Sequence, residues 1–175
     1  IWDIGFIGAE PSRAKTIDFT EAYVEIEATY LVPEGSTFTT VDEVDSTGTR
    51  IAVSGRSAYD LYLSRNLQTA ELVRAQGVAG AVELFNTGEY DALAALRPAL
   101  IAELKAGNIP IVRLLDGRFT AVQQAIGVPK GRLAAAAYLA QFVNDAKSSG
   151  LVAGLIDKHG VKAVSYTHLR AHETE

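Results

Sequence analysis

The feature that most constrains this chain is the regular alternation of short apolar segments with helical ones through its middle. Four short runs that read as strands, at Arg50 to Val53, Glu71 to Arg74, Asp91 to Ala94 and Ile109 to Leu115, are separated by three segments that read as helices. The helices are predicted at about Ala58 to Asn66, Ala79 to Asn86 and Pro98 to Ala106, the last with Pro in its first turn and Gly107 as its C-cap. Such alternation predicts an α/β fold with a mainly parallel sheet.

The flanks have a different character. Asp3 to Ile7 reads as a short buried strand ending at Gly8, and Pro11 to Ala14 as one helical turn. From Tyr23 to Val32 the chain alternates: Val24, Ile26, Ala28, Tyr30 and Val32 share one face, and Glu25, Glu27 and Thr29 share a face expected to be solvated. Arg118 to Val128 is a second long extended stretch. Beyond it, Leu139, Phe142, Val143 and Ala146 mark an amphipathic helix over Arg132 to Lys147, and a further helical turn ends near His159-Gly160. Two long extended segments bracketing a compact α/β middle are the pattern of one domain inserted into another. The expected division is 1–32 with 121–163 as one lobe and 33–120 as the inserted lobe.

Composition narrows the function classes. A net charge of −5 argues against a nucleic-acid partner. With no Cys, disulfides and thiolate metal sites are excluded. No apolar run approaches the roughly 18 residues of a membrane span, so no direct membrane insertion is expected. The chain begins Ile1-Trp2-Asp3 and has no Met, so the expectation is a processed product or one whose front is missing. The run Val164 to Thr174 resembles the translated transposon-end adapter of sequencing libraries. Residues 164–175 are therefore expected to be a foreign tail that packs on nothing, and its His168 and His172 are not taken as metal ligands.

Three places could hold a ligand. Gly8-Ala9-Glu10-Pro11-Ser12-Arg13 puts an Arg just past the carboxyl end of a strand, suited to bidentate capture of a carboxylate, or else to pairing on the surface with Glu10 or Asp18. Ser54-Gly55-Arg56-Ser57 joins a strand to a helix whose first N–H groups and dipole favour an anion, with Ser57 as N-cap, or else is simply a capped helix. It lacks the Gly-Lys-Ser/Thr of a phosphate-binding loop. Arg97 follows the Asp91 strand and either faces the same crevice or is solvated. No triad order, metal-ligand spacing or convincing acid–base pair is present, so neither catalytic residues, metal nor cofactor is expected.

The stretch Asp3 to Tyr23, with Pro11, Arg13 and Asp18-Phe19-Thr20, resembles the signature of the family 3 extracellular solute-binding proteins, the receptors of ABC importers. Arg50 to Tyr59 resembles that family's strand-to-helix loop, Gly88-Glu89-Tyr90-Asp91-Ala92 its Gly-x-x-Asp-Ala strand start, and Gln124 to Gly131 its return strand. The resemblance implies a periplasmic-binding-protein-like fold: two α/β lobes joined by two hinge strands, the first lobe incomplete, closing like a Venus flytrap on a small solute. It implies that Arg13 holds a ligand carboxylate, that Gly55, Arg56 and Ser57 add contacts from the second lobe, and that Phe6 and Gly8 line the crevice. It further implies a periplasmic monomer that meets ABC permease subunits and binds an anionic or zwitterionic solute, an amino acid or organic acid. Where the family often carries an acidic residue for the ligand's ammonium group, this chain has Leu96 followed by Arg97. With Arg56 where Thr is common, the balance favours a dicarboxylate or other acid. The alternatives are a cyclohexadienyl-dehydratase-like enzyme on the same fold and the sensor domain of a membrane receptor.

Overall fold

The computed structural model describes residues 2–160 and, in backbone alone, Val164 and Ser165. In chain order the elements are β1 (Gly5–Ala9), a 3-10 turn (Arg13–Lys15), β2 (Ile17–Phe19), β3 (Val24–Pro33), a 3-10 turn (Asp42–Val44), β4 (Arg50–Ser54), α1 (Ala58–Asn66), β5 (Glu71–Ala75), α2 (Gly77–Phe85), β6 (Ala92–Leu96), α3 (Arg97–Ala106), β7 (Val112–Leu114), β8 (Thr120–Pro129), α4 (Leu133–Ser148), α5 (Leu151–Lys158) and β9 (Val164–Ser165). Every helix lies where the apolar spacing predicts one. Among the described residues, no helix is long and apolar enough to cross a membrane.

The chain divides into two compact units, Ile1–Ile26 with Gln123–Glu175, and Glu27–Val122. The changeovers fall within β3, at 26/27, and within β8, at 122/123. Both long extended stretches are therefore single strands that carry the chain from one unit into the other.

The Glu27–Val122 unit is built on a sheet in which β4 pairs with β5 and β6 in parallel, while β6 pairs antiparallel with β3, and β3 with β7. Ile51, Ala52 and Val53 are wholly buried, as are Ala92, Leu93 and Ala94. Consecutive strand residues point to opposite faces, so both faces of this sheet are covered, as a βαβ sheet requires. The expectation of a half-buried β3 needs correction. Thr29 and Leu31 are as buried as Ala28, Tyr30 and Val32. Thr29 satisfies its hydroxyl on the Leu115 carbonyl at 3.2 Å. β3 is an interior strand here, with β6 and β7 both hydrogen-bonded to it, so the polar letters in its sequence do not mark a solvated face.

Asp45 ties the loop before β5 into this unit. Its carboxylate accepts from the N–H groups of Gln68, Thr69 and Ala70 at 2.8, 2.9 and 2.9 Å. Burial alone raises this carboxyl, but the three N–H donors and the Thr69 hydroxyl outweigh it and hold the group below the ordinary carboxylate range.

In the other unit β1 and β2 both pair antiparallel with β8, with Phe6 opposite Ile126 and Phe19 opposite Gly127. α4 places Leu139 and Val143 against Ile126 and Val128. Several large apolar side chains of this unit remain open to solvent, among them Phe6, Phe142, Leu151 and Leu155. The expected tail is corrected at its first two residues, because Ser165 and Val164 pair with Glu25 and Ile26 of β3. Two backbone-paired residues are enough for a short bridge, whatever the origin of the sequence. The rest of that segment, His168 and His172 included, lies outside the described residues.

Gly127 is a close-approach position. A Cβ there would stand 2.6 Å from Ile17 Cγ2 and 3.2 Å from Phe19 Cε1. Gly127→Ala is expected to lower stability by about 1–3 kcal/mol through overpacking, with Ile17→Ala recovering part of the loss in a double-mutant cycle read by urea denaturation. A second prediction follows from Asp45. Its folded pKa lies below the unfolded one, so its contribution is complete above the unfolded value of about 3.9 and is lost as pH falls through the folded value. The urea midpoint should therefore fall on acidification from pH 5 to pH 3, and Asp45→Asn should flatten that slope.

Candidate functional site

At the carboxyl end of β1, Gly8 is buried and Glu10 is 5% exposed. The chain turns at once, with Arg13 and Ala14 donating their N–H groups to the Glu10 carbonyl at 2.9 and 3.0 Å. The Glu10 carboxylate accepts from the Ser12 N–H at 3.2 Å and the Ser12 hydroxyl at 2.9 Å. Arg13 is half-buried, and its Nη1 donates to the Gly8 carbonyl at 2.8 Å. That bond fixes one nitrogen of the guanidinium fork over the strand end. From the far side, Lys130 Nζ donates to the Ala14 carbonyl and the Gly131 N–H to Asp18, both at 2.9 Å. Arg13 therefore sits on a braced turn and not on a loose loop. Phe6 lies elsewhere in this unit. It is 66% exposed, packs edge-on against Tyr23 with ring centroids 6.2 Å apart, and borders a cavity of about 230 Å³ lined by Ile126, Phe142 and Leu151. The Phe6 ring is thus turned to an apolar surface beside α4 and α5.

The second unit carries its own constellation at the carboxyl edge of β4 and β6. The Gly55 N–H donates to the Ala75 carbonyl at 2.9 Å, closing the end of β4 against β5. Ser57 is the N-cap of α1, and its hydroxyl accepts the Asp60 N–H at 3.0 Å. Between them Arg56 adopts φ 63°, a left-handed backbone uncommon for a residue with a Cβ. What holds it there is Asp60, whose Oδ2 accepts the Arg56 N–H at 2.7 Å. Asp60 is only 2% exposed and also accepts from Arg74 Nε at 2.9 Å and from the Ser64 hydroxyl at 3.3 Å. Asp60 and Arg74 were not singled out in the sequence. The readable signal was Ser57-x-x-Asp60, the spacing of a capping box. Tyr59 is buried beside this loop, and burial pushes its phenol up, against hydrogen bonds with Ser57 and Ser54 that lower it.

Arg97 begins α3 at the end of β6. The pairing Val53↔Ala94 in the parallel β4–β6 ladder brings the Gly55–Ser57 loop and Arg97 off neighbouring strands at the same edge. Arg97 is neither solvated nor aimed freely outward. Its side chain is 13% exposed, Nε donates to Glu27 Oε2 at 2.8 Å, and Nη2 donates to the Gly117 carbonyl. Glu27 and its second neighbour Arg118, 3.7 Å away, were also missed. Glu27 was assigned to a solvated strand face, whereas the Ala28↔Leu96 register of β3 and β6 sets it opposite Arg97. Among the described residues no cluster of His, Cys, Asp or Glu has the makings of a metal site.

No family model and no curated protein matches this sequence. Solved structures do match its fold. One is the amino acid ABC transporter substrate-binding protein AbpA from Streptococcus pneumoniae bound to L-arginine (TM-score 0.70, 18% identity, 89% of this chain and 67% of that one). The chain has the periplasmic-binding-protein-like fold. A histidine kinase sensor domain with similarity to periplasmic binding proteins shares that fold at TM-score 0.78 and 15% identity, over 94% of this chain and 72% of the other. So does the ancestral amino acid-binding protein AncCDT-1, a precursor of cyclohexadienyl dehydratase, at TM-score 0.73 and 20% identity, over 90% and 68%. Within this fold both Arg13 and the Gly55–Ser57 loop stand just past the carboxyl end of a strand, where open α/β sheets place their ligands.

Asp60→Ala is expected to destabilise the protein by about 1–3 kcal/mol, the cost of leaving charge-assisted donors unpaired. Asp60→Asn should lose less, because its side-chain oxygen still accepts from Arg56. Urea midpoints measured for the three proteins check both statements.

Proposed function

We propose that this chain is a solute-binding protein, the receptor of an ABC importer, that takes up a small carboxylate-bearing solute with contacts from both of its units. The observation that carries the reading is the placement of Arg13. Its guanidinium is half-buried at a strand's carboxyl end, with one nitrogen anchored on the Gly8 carbonyl at 2.8 Å and the turn beneath it braced by Glu10, Ser12 and Lys130. A planar fork carried on a braced turn is suited to two parallel charge-assisted bonds with a carboxylate. The Gly55–Ser57 loop adds the positive end of α1, its own N–H groups being engaged by Ala75, Asp60 and Ser54. The likeness in fold to amino acid ABC transporter substrate-binding proteins supports the same reading.

In this role the protein works in the periplasm, meets permease subunits of the transporter and acts as a monomer, without cofactor or metal. Binding stabilises a closed state only through contacts that the open state lacks, so a ligand held from both units drives closure. A second reading, a sensor domain, is favoured by the likeness to the histidine kinase sensor. The neighbouring coding sequence separates the two: permease and ATPase genes beside this one favour the importer, and a downstream membrane span with a kinase domain favours the sensor.

Calorimetric titration with a panel of organic acids and amino acids tests the ligand class. At least one carboxylate-bearing solute should bind, and Arg13→Ala should weaken it by about 2–5 kcal/mol, as loss of a buried charged partner does. Arg13→Lys should recover only part of that, because the fork is lost. Tight binding of a neutral or cationic amino acid that is indifferent to Arg13→Ala would overturn the assignment.

A further inference from the structure

The Glu27–Val122 unit holds a charged cluster that the assignment above does not use. Glu27 stands on β3 between two arginines. On one side the antiparallel register Ala28↔Leu96 sets residue 27 opposite residue 97, and Arg97 Nε reaches Glu27 Oε2 at 2.8 Å. On the other side the Phe119 N–H donates to the Ala28 carbonyl at 3.1 Å, which brings Arg118 alongside Glu27. Arg118 Nη1 is 3.7 Å from Glu27 Oε1, an ion pair beyond hydrogen-bonding distance, and its side chain is 49% exposed. The two arginines differ in kind. Arg97 is 13% exposed and is held at two points, by Glu27 and by the Gly117 carbonyl. Gly117, at φ 75°, forms the turn that leads into Arg118. Arg97 thus fixes both the carboxylate and the turn from which Arg118 projects.

Charge makes the cluster informative. Two guanidiniums share one carboxylate, so these three side chains together carry one positive charge in a protein whose net charge is −5. Arg118 is the member with the longer contact and the greater exposure. The cluster lies at an edge with other ligand-competent groups. β4 and β6 run parallel with Val53 beside Ala94, so Arg56 and Arg97 leave adjacent strands at corresponding positions, and adjacent strands lie about 4.8 Å apart.

We propose that Arg118, positioned by Glu27 and Arg97, is a specificity-determining residue that takes the second carboxylate of a dicarboxylic solute. This rests on the carboxylate-binding reading above, and it adds what that reading lacks, a separate cation for a second anionic group. Arg97 is a positioning residue in this arrangement, since its donors are already engaged on Glu27 and Gly117. Glu27 prevents the two guanidiniums from repelling one another and leaves Arg118 only weakly held, so an incoming carboxylate can exchange for a 3.7 Å contact at little cost.

The test uses two matched pairs of probes, succinate with butyrate and L-glutamate with L-glutamine, titrated calorimetrically into the full chain. In at least one pair the diacid should bind about tenfold or more tighter than its partner, the size of one charge-assisted hydrogen bond. Arg118→Gln should bring that pair to within about threefold while leaving the monocarboxylate's affinity unchanged; by contrast, Arg13→Ala should weaken both members. Arg118 is half-exposed, so the circular dichroism spectrum and melting temperature of Arg118→Gln should match those of the parent. Monocarboxylates binding as tightly as diacids in both pairs, or a diacid preference that survives Arg118→Gln, would overturn the role of Arg118 and leave the carboxylate reading standing. If none of the four binds, the carboxylate reading falls, and this role with it.

Discussion

The parallel pairing of β4 with β6 is the constraint on which the candidate site of the Glu27–Val122 unit depends. Both strands are short and wholly buried through Ile51–Val53 and Ala92–Ala94. Parallel strands need crossover connections, and here those are helices that cover the sheet. Because the two strands run the same way, their carboxyl ends lie at one edge. The residues that follow them, Gly55 to Ser57 and Arg97, are gathered there without any long-range recognition of their own. Apolar burial fixes the strands, strand direction fixes the edge, and the edge fixes which polar residues meet.

In this unit three carboxylates have distinct tasks, Asp60 and Glu27 near that edge and Asp45 at the amino ends of β4 and β5. Asp60 is buried and is engaged by a backbone N–H, by Arg74 and by Ser64, so it shapes a loop. Asp45 is engaged by three backbone N–H groups and anchors the segment ahead of β5. Among the described residues Glu27 is engaged by two guanidiniums, one close and one distant, and so acts as a spacer between cations. The difference follows from what each faces. An N–H donor is fixed by the backbone and holds a carboxylate in one place, whereas a half-exposed Arg on a flexible stem can leave.

Much of the fold was legible because its signals are local. The helix at Ala58–Asn66 coincides with the apolar spacing and the Ser57 cap, and Gly107 ends α3 with φ 71° as a left-handed C-cap should. Non-local pairing was not legible. β2 is three residues long and exists because Ile17 to Phe19 lie against β8. The face of β3 bearing Glu25, Glu27 and Thr29 read as solvated because its letters are polar. It is instead satisfied one residue at a time: Glu25 by Gln123 at 2.7 Å, Glu27 by Arg97, Thr29 by the Leu115 carbonyl. Alternation reports polarity, and a buried polar residue with a partner looks the same in sequence as a solvated one. For the same reason Arg13, Gly55, Arg56, Ser57 and Arg97 could be nominated from strand-to-helix junctions, while Asp60, Arg74, Glu27 and Arg118, which orient those junctions from other elements, could not. Phe6 was nominated by resemblance, and its ring lies against Tyr23 beside an apolar cavity.

Arg56 shows how shape and chemistry are separated at this edge. A tight strand-to-helix turn that needs φ near 60° is most cheaply made with glycine, and glycine at that position would bring no side chain. Here the glycine is one residue earlier, and the left-handed residue is an arginine whose backbone N–H is held by Asp60 at 2.7 Å. Asp60 is in turn pinned by Arg74 from β5, so the turn keeps its form through a buried carboxylate and not through freedom of the backbone. The loop's geometry is therefore set from beneath, by residues 60, 64 and 74, and its charge is set at the apex, by residue 56. A change at the apex alters the charge that the loop carries, while the Arg56 N–H bond to Asp60 is made by the backbone and is open to any residue that has an N–H. A change beneath alters where every donor of the loop points.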